Sequence, residues 1–406
     1  MWTTLMKLDL ASVGLALSLG FIFVVLFEIF RINSYRGQTP PGPRPLPFVG
    51  TIPYFLKNPM EFIRSLSQYG EMTTVYLGRK PAIILNTIEL AKEALVQNAS
   101  SFSGRPPIPI LIWVTEGYGI VMATFGHSWR QQRRFALHTL RNFGLGKKSM
   151  EERVTEECSY LVPEMLKLEG KPFDPQHAIQ NAVSNIICSI MFGDRFDYDN
   201  KSFKYLLEIV KENIIQSGSL VGQTFTHQLL FITERCHEEI VRVLGYDRLP
   251  NMDDRDKLPY TNATVHEIQR CANIVPSGVF HETTQPTKLR GYDIPKGTVI
   301  FTNLTAILTD KEHWKYPDTF NPENFLDDNG HFFKPESFLP FSLGPRVCLG
   351  ETLAKTELFL FVTFLLQRIH FSWPPGVKWP DMNGIVSVVR SPEPFNIICH
   401  SRGSTE

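Results

Sequence analysis

Toward the C-terminal end of the 406-residue chain, Phe341, Gly344, Arg346, Cys348 and Gly350 stand in the frame F-x-x-G-x-R-x-C-x-G. An apolar helical pattern begins near Glu351, so Cys348 lies just before a first helical turn. Backbone amides at such a turn point outward and carry the positive end of the helix dipole, and both effects stabilise a thiolate. A metal held by that thiolate gains amide hydrogen bonds to the sulfur, which tune its electronics. Gly344 and Gly350 remove side chains where a flat ligand would press on the backbone. Phe341 can pack beside the sulfur, and Arg346 can meet an acidic edge of the ligand. A lone cysteine is more often a buried, inert thiol. Against that, five fixed positions at this spacing occur by chance in a chain this long on the order of once in ten thousand.

Two other pairs have helical spacing. Glu267 and Arg270 are three apart on one face and able to pair. Trp129 and Arg133 are four apart and share a face, flanked by Arg130 and Arg134. Alone, each pair reads as solvated helix surface. Together with the cysteine frame they resemble the cytochrome P450 superfamily. The loop around Cys348 is similar to its haem-binding loop, Glu267 and Arg270 to its E-x-x-R helix, and Trp129 with Arg133 to its W-x-x-x-R helix. Residues 321–325 are similar to the segment that completes the E-x-x-R network. That segment often has arginine where Asn324 stands. Asparagine can hydrogen-bond but carries no charge, so a weaker network is expected here. Residues 40–47, 141–146, 173–175 and 181–188 narrow the resemblance to the microsomal family-two members.

The resemblance implies haem b with Cys348 as iron ligand. It implies propionate contacts from Arg105, Trp129, Arg133 and His281, and a haem-thiolate monooxygenase that inserts one oxygen atom of O2 into lipophilic substrates such as xenobiotics, fatty acids or steroids. Electrons would come from NADPH through NADPH–cytochrome P450 reductase, with cytochrome b5 as a further donor, and Arg130 and Arg134 would face the acidic reductase. The apolar stretches 110–114, 275–280 and 385–386 would contact substrate or else be ordinary core.

The elements that must position these residues read as mainly α with small β-sheets. Strands are expected at 73–77, 82–85 and 299–303, and helices at 88–97, 174–191, 203–215 and 351–371, the last with Ala354, Leu358, Val362, Leu365 and Ile369 on one stripe. Residues 10–27 form an uncharged run of minimal membrane-spanning length. Arg31 and Arg36 after it, against Lys7 before it, place the C-terminal side in the cytosol. The expected organisation is a membrane anchor at 1–36, a stiff proline-rich linker at 37–49, and one domain over 50–406 at the endoplasmic reticulum membrane. The 41 basic and 41 acidic residues cancel, which suggests no nucleic-acid partner. None of the six cysteines forms a close pair, so neither a disulfide framework nor a zinc site is indicated. Sequons at Asn98, Asn200, Asn262 and Asn303 carry little weight in a cytosolic domain.

One stretch departs from the family. Up to about Gln223 and again from about Glu234 the chain follows it, but only about ten residues, 224–233, stand where roughly ninety are expected. The missing stretch would hold the end of the F helix, the G and H helices, the I helix and most of the J helix. The I helix carries an acid followed by threonine, which delivers protons to iron-bound oxygen, and that frame does not occur here. Thr233 and Glu234 are in reversed order, at a junction with no helix of the right length expected around them, and are not assigned the role. Losing that helix should leave apolar surface uncovered at ~25 cal/mol per Å², so poor folding or weak haem binding is expected. The alternative to the enzyme is a shortened, non-catalytic form that binds membrane or reductase without turnover.

Overall fold

The computed structural model describes residues 10–34, 37–144, 146, 148–213, 227–380, 384–386 and 389–403. The chain forms two compact units: Met1–Pro107 with Val279–Asn303, and Ile108–Gly278 with Leu304–Glu406.

In the first unit, α1 (Leu10–Ser34) is 25 residues long, about 37 Å at 1.5 Å per residue. By length and composition it can cross a bilayer. Its one acid, Glu28, is 1% exposed. Arg31 one turn on (2.8 Å) and Arg79 both pair with it, so the carboxylate at the end of the apolar run is neutralised. Beside it lies a four-stranded sheet of β1 (Met72–Leu77), β2 (Lys80–Leu85), β3 (His281–Glu282) and β6 (Val299–Thr302), in the order β1-β2-β6-β3. The small hairpin of β4 (Thr287–Leu289) and β5 (Tyr292–Ile294) intervenes in sequence. Met72 faces Leu85 across the antiparallel β1–β2 pair, and Ala82 faces Val299 across the parallel β2–β6 pair. The alternation leaves Val75, Ala82 and Ile84 inside. The expected helix at 88–97 is Ile88–Lys92 running into a π turn, Glu93–Gln97.

The proline-rich stretch is docked on this sheet. The Thr74 amide donates to the Pro41 carbonyl (2.9 Å), and Gly50 bridges both Leu46 and Leu77. A Cβ at Gly42 would stand 1.9 Å from the Thr74 carbonyl oxygen, so only glycine lets the two backbones lie this close. Prolines, lacking amide donors, suit such an edge.

In the second unit the long helices are α2 (His127–Asn142), α3 (Lys148–Leu166), α4 (Gln176–Phe192), α5 (Lys201–Asn213), α6 (His227–Leu244), α7 (Pro259–Ala272) and α8 (Glu351–Arg368). Met150, Leu161, Ile186, Ile240 and Phe359 are among the side chains that pack α3, α4, α6 and α8 into one apolar cluster. The helix expected from 174 begins at Gln176, whose amide is taken by Asp174 Oδ1 (2.8 Å) ahead of the first turn. The helix expected to run to 371 stops at Arg368. Ile369–Ser372 is strand β7 instead, antiparallel to β10 (Ile398–Ser401), with β8 (Ile385–Val386) and β9 (Arg390–Ser391) between them in sequence. Ile369 is fully buried in that strand. Its β-branched side chain and a strand partner about thirty residues on decide the change. Residues 224–226 lie outside the described residues, and 227–233 open α6. Thr233 and Glu234 lie inside α6, a helix of 18 residues. Glu234 is engaged by Arg402 and by His370 Nε2 at 3.3 Å.

Candidate haem-binding site

Six cysteines are free; Cys348 is exposed and the other five are buried or half-buried. Burial raises the thiol pKa of Cys236 and Cys399 to about 12, which keeps them inert. Cys348 leads into Gly350, the cap position just before α8, which makes no side-chain cap. Its loop is closed by two backbone bonds: the Cys348 amide donates to the Phe341 carbonyl (3.1 Å) and the Val347 amide to the Gly344 carbonyl (3.0 Å). Gly344 holds φ +76° at this turn, a conformation L side chains rarely adopt. A Cβ at Gly350 would project into open space. Phe341 meets Cys348 through its backbone, and Lys355 stands 5.6 Å from its ring centroid.

Helix α2 brings two of the expected residues to this loop. Arg133 Nη2 donates to the Val347 carbonyl at 2.6 Å, one of five donors on the guanidinium. Burial lowers its pKa, and the Cys348 sulfur acts in the opposite sense. Trp129 is 3% exposed and its Nε1–H donates to the Ile120 carbonyl (2.9 Å). Arg346 lies 4.1 Å over the Trp129 ring and donates to the carbonyls of Ile120 (3.0 Å) and Ala123 (2.7 Å). Trp129, Arg133 and Arg346 thus converge on the cysteine loop and the 120–123 segment. Phe125, 5.3 Å from Trp129 and under the guanidiniums of Arg130 and Arg346, belongs to the same cluster. Nothing in its loop marked it in sequence.

Arg105 and His281 belong to the first unit. Arg105 Nη1 donates to the Phe280 carbonyl (2.7 Å), and His281 Nδ1 sits 2.8 Å from the Phe102 carbonyl. Strand β3 and the Gly104–Glu282 bridge bring the two together. Burial lowers the Arg105 pKa to about 10, a setting that favours an anionic ligand group.

Glu267 and Arg270 are not solvated surface: they are 0% and 2% exposed. Arg270 Nε and Nη2 grip the two Glu267 oxygens at 2.7 Å each. The remaining donors reach the carbonyls of Leu308, Tyr316, Pro317 and Thr319. Asn324 donates to Glu267 at 3.2 Å, and the Asn321 amide does so at 2.7 Å. Desolvation opposes the charge on Arg270, but the Glu267 carboxylate outweighs it and raises its pKa. The residues offered for substrate are not core in the 109–115 helix: Ile110, Trp113 and Val114 are 59%, 77% and 66% exposed. Ile385 is also exposed; Val275–Phe280 divides between the two units.

A family model described as Cytochrome P450 matches residues 40–233 and 230–399. The chain belongs to the cytochrome P450 family. It is similar to Cytochrome P450 2B12 of Rattus norvegicus, 35% identical over 489 aligned positions that take in 96% of this chain and 98% of the rat protein. Cytochrome P450 2D15 of Canis lupus familiaris is 34% identical, covering 94% of this chain and 97% of the dog protein. Cytochrome P450 2H2 of Gallus gallus is 36% identical, covering 96% and 99%. An alignment of 489 positions that holds 96% of 406 residues leaves roughly a hundred positions with no counterpart in this chain. P450 enzymes are haem monooxygenases that act on lipophilic substrates with a redox partner, and their cofactor is haem b. The residues present suit that group: an exposed thiol, open space over Gly350, and buried guanidinium and indole donors that match an acidic edge.

Proposed function

We propose that this chain is the haem-thiolate monooxygenase its family implies, with Cys348 as the iron ligand, and that it inserts one oxygen atom of O2 into lipophilic compounds. The observation that carries the reading is the exposed Cys348 at the start of α8, in a loop clamped to α2 by Arg133. Haem, when bound, supplies the reduction of dioxygen and the transfer of an oxygen atom to substrate. The chain's own residues hold and shape it. Cys348 provides an anionic sulfur beside the positive end of α8. Arg133 and Trp129 would meet a propionate edge, with Arg346 beside them, and the resemblance gives Arg105 and His281 the same role. The Glu267–Arg270–Asn324 network fixes the backbone of 308–319. The neutral Asn324 leaves that network with one charge pair. Arg130 and Arg134, both exposed on α2, would meet an acidic NADPH–cytochrome P450 reductase, with cytochrome b5 as a second donor. Leu10–Ser34 would anchor the chain as a single pass in the endoplasmic reticulum membrane, and the apolar 110–114 segment would touch substrate.

A second reading has an observation of its own. The family model matches in two pieces that meet at 230–233, which supports a lost central segment and with it the acid–threonine pair. No residue of this chain is assigned to proton delivery. The chain would then be a shortened form that binds haem, membrane or reductase without turnover. The difference spectrum of the reduced, carbon-monoxide-bound protein tests the assignment of Cys348. A strongly red-shifted Soret band that disappears in Cys348→Ser is expected, and the same band in the variant removes the assignment. Product formation with reductase and NADPH then separates the enzyme from the shortened form.

A further inference from the structure

In the first unit, Leu46, Phe48, Val49, Ile52 and Leu56 are all exposed, and so is Leu77 in the β1–β2 turn. The backbone makes one surface of them. Leu46 and Gly50 exchange two bonds of 2.9 Å, Gly50 bridges to Leu77, and the Thr51 amide donates to the Tyr76 carbonyl (2.8 Å) just before the helix Ile52–Lys57. At the tip of the loop Phe48 holds φ +62°, a left-handed conformation that is rare for a bulky residue. It is 41% exposed, so the strained turn leaves the ring at the surface. Strain of this kind is kept where it serves a contact.

Helix α1 reaches this surface. From Val13 to Val24 every residue of the helix is exposed, whereas Val25, Glu28, Ile29 and Ile32 are buried or half-buried. Steps of three and four residues put those four on one face. Arg79, in the β1–β2 turn, meets that face through its ion pair with Glu28. Residues 10–27 span ~27 Å, close to the ~30 Å of a hydrocarbon core, so Glu28 stands where the helix leaves the bilayer. The pair holds the turn within side-chain reach of that boundary.

The charges beside the surface have one sign. Residues 37–60 and 77–81 carry Arg44, Lys57, Arg79 and Lys80, all exposed, and no Asp or Glu. Glu28 shares Arg79, and Lys80 acts on the half-buried carboxyl of Glu282. Glu61, one turn beyond Lys57, accepts from Asn58 (2.8 Å). Arg44 and Lys57 have no carboxylate partner among the described residues.

We propose that the Glu28–Arg79 pair clasps the membrane helix to the first unit and so seats the 46–56 surface, tipped by Phe48, in the headgroup layer of an anionic bilayer. This seating depends on α1 being the membrane anchor proposed above. An apolar surface rimmed by cations suits that layer: aliphatic chains and rings enter the acyl boundary, and the cations meet lipid phosphates and carboxylates. Each basic residue near an anionic leaflet strengthens attachment about fivefold. Because α1 already holds the chain at the bilayer, the second contact is intramolecular in effect and needs little affinity of its own.

The test uses the full chain in vesicles of phosphatidylcholine and phosphatidylserine whose acyl chains are brominated either near the headgroup or near the chain end. Flotation after an alkaline wash reads the anchor by itself and is expected to keep the chain on the vesicles. Phe48→Trp adds an indole whose emission is expected to be quenched at least about twofold more by the shallow bromines than by the deep ones, as an interfacial side chain requires. Lys57→Glu, or vesicles of phosphatidylcholine alone, should weaken the quenching. In the Phe48→Trp background, Arg79→Glu and Glu28→Gln break the clasp from its two sides, and each should lose most of the quenching while the chain still floats. Flotation without quenching overturns the proposal and leaves the anchor standing; loss of the chain from the vesicles overturns both. An indole shielded from aqueous iodide but untouched by bromine means that a second copy or another protein covers the surface, which also overturns it. So does quenching that neither clasp variant moves.

Discussion

Two sets of residues in the second unit meet water differently. Glu267, Arg270 and Asn324, all C-terminal to residue 227, are 0%, 2% and 3% exposed and hydrogen-bonded to one another or to backbone. Ile187, Met191 and Phe192 on α4, N-terminal to residue 214, are 44%, 69% and 64% exposed. The first set is buried polar chemistry with its partners supplied. The second is apolar surface with water where a protein interior usually lies. Burying an apolar side chain contributes ~25 cal/mol per Å², so a helix that leaves three large ones out forgoes several kcal/mol. The contrast separates an apolar face of α4 left open to water from the part of the unit that carries Cys348, which keeps its own support.

The sharpest way to break that contrast is Arg270→Ala. It leaves Glu267 buried without its cation and is expected to cost about 3–5 kcal/mol, read by denaturant unfolding. A loss under about 1 kcal/mol, the scale of an exposed ion pair, would mean the network is no better supported than surface.

Glu357 is an exception within the supported part. Its Oε1 is out of water with no partner among the described residues, and burial pushes its carboxyl up to about 8. The unfolded chain releases this proton near 4.5 and the folded chain holds it to about 8, so its contribution is complete below 4.5 and is lost as pH rises through 8. Glu357→Gln should abolish that slope and gain at most roughly 5 kcal/mol at pH 9. A parent melting temperature that is flat from pH 5 to 9 would contradict the carboxyl's burial.

His266 has the opposite sign. Its folded pKa of about 4 lies below the unfolded 6.5, so its contribution is complete above 6.5 and is lost as pH falls toward 4. His266→Phe should flatten the acid limb by at most roughly 3 kcal/mol. An acid limb identical to the parent's would count against it.

The smallest effect is expected where the apolar surface is already wet. Met191→Lys should change stability by less than about 0.5 kcal/mol and raise the concentration at which the protein aggregates. A cost above about 2 kcal/mol would mean that face of α4 is covered.

Much of the site could be read from spacing, because its pieces are local. The five-position frame around Cys348, the three-residue step from Glu267 to Arg270 and the four-residue step from Trp129 to Arg133 each fit within a turn or two of helix. Such steps place side chains on one face whatever the rest of the chain does. The anchor helix and the β1–β2 hairpin are local in the same sense. Other features depended on partners distant in sequence. The proline stretch at 40–47 docks because Thr74 and Leu77 lie beside it. Ile369 leaves its helical pattern because Ser401 waits across β10. Arg270 reaches four carbonyls of 308–319, which no spacing rule could have named.

The linear order of residues therefore determined the chemistry on offer: a thiol before a helix, a charge pair on a face, an apolar run long enough for a bilayer. Tertiary structure decided which of these are shielded from water and which remain open to it. Burial depends on neighbours brought together from far along the chain, and burial sets the strength of every charge and hydrogen bond in the site.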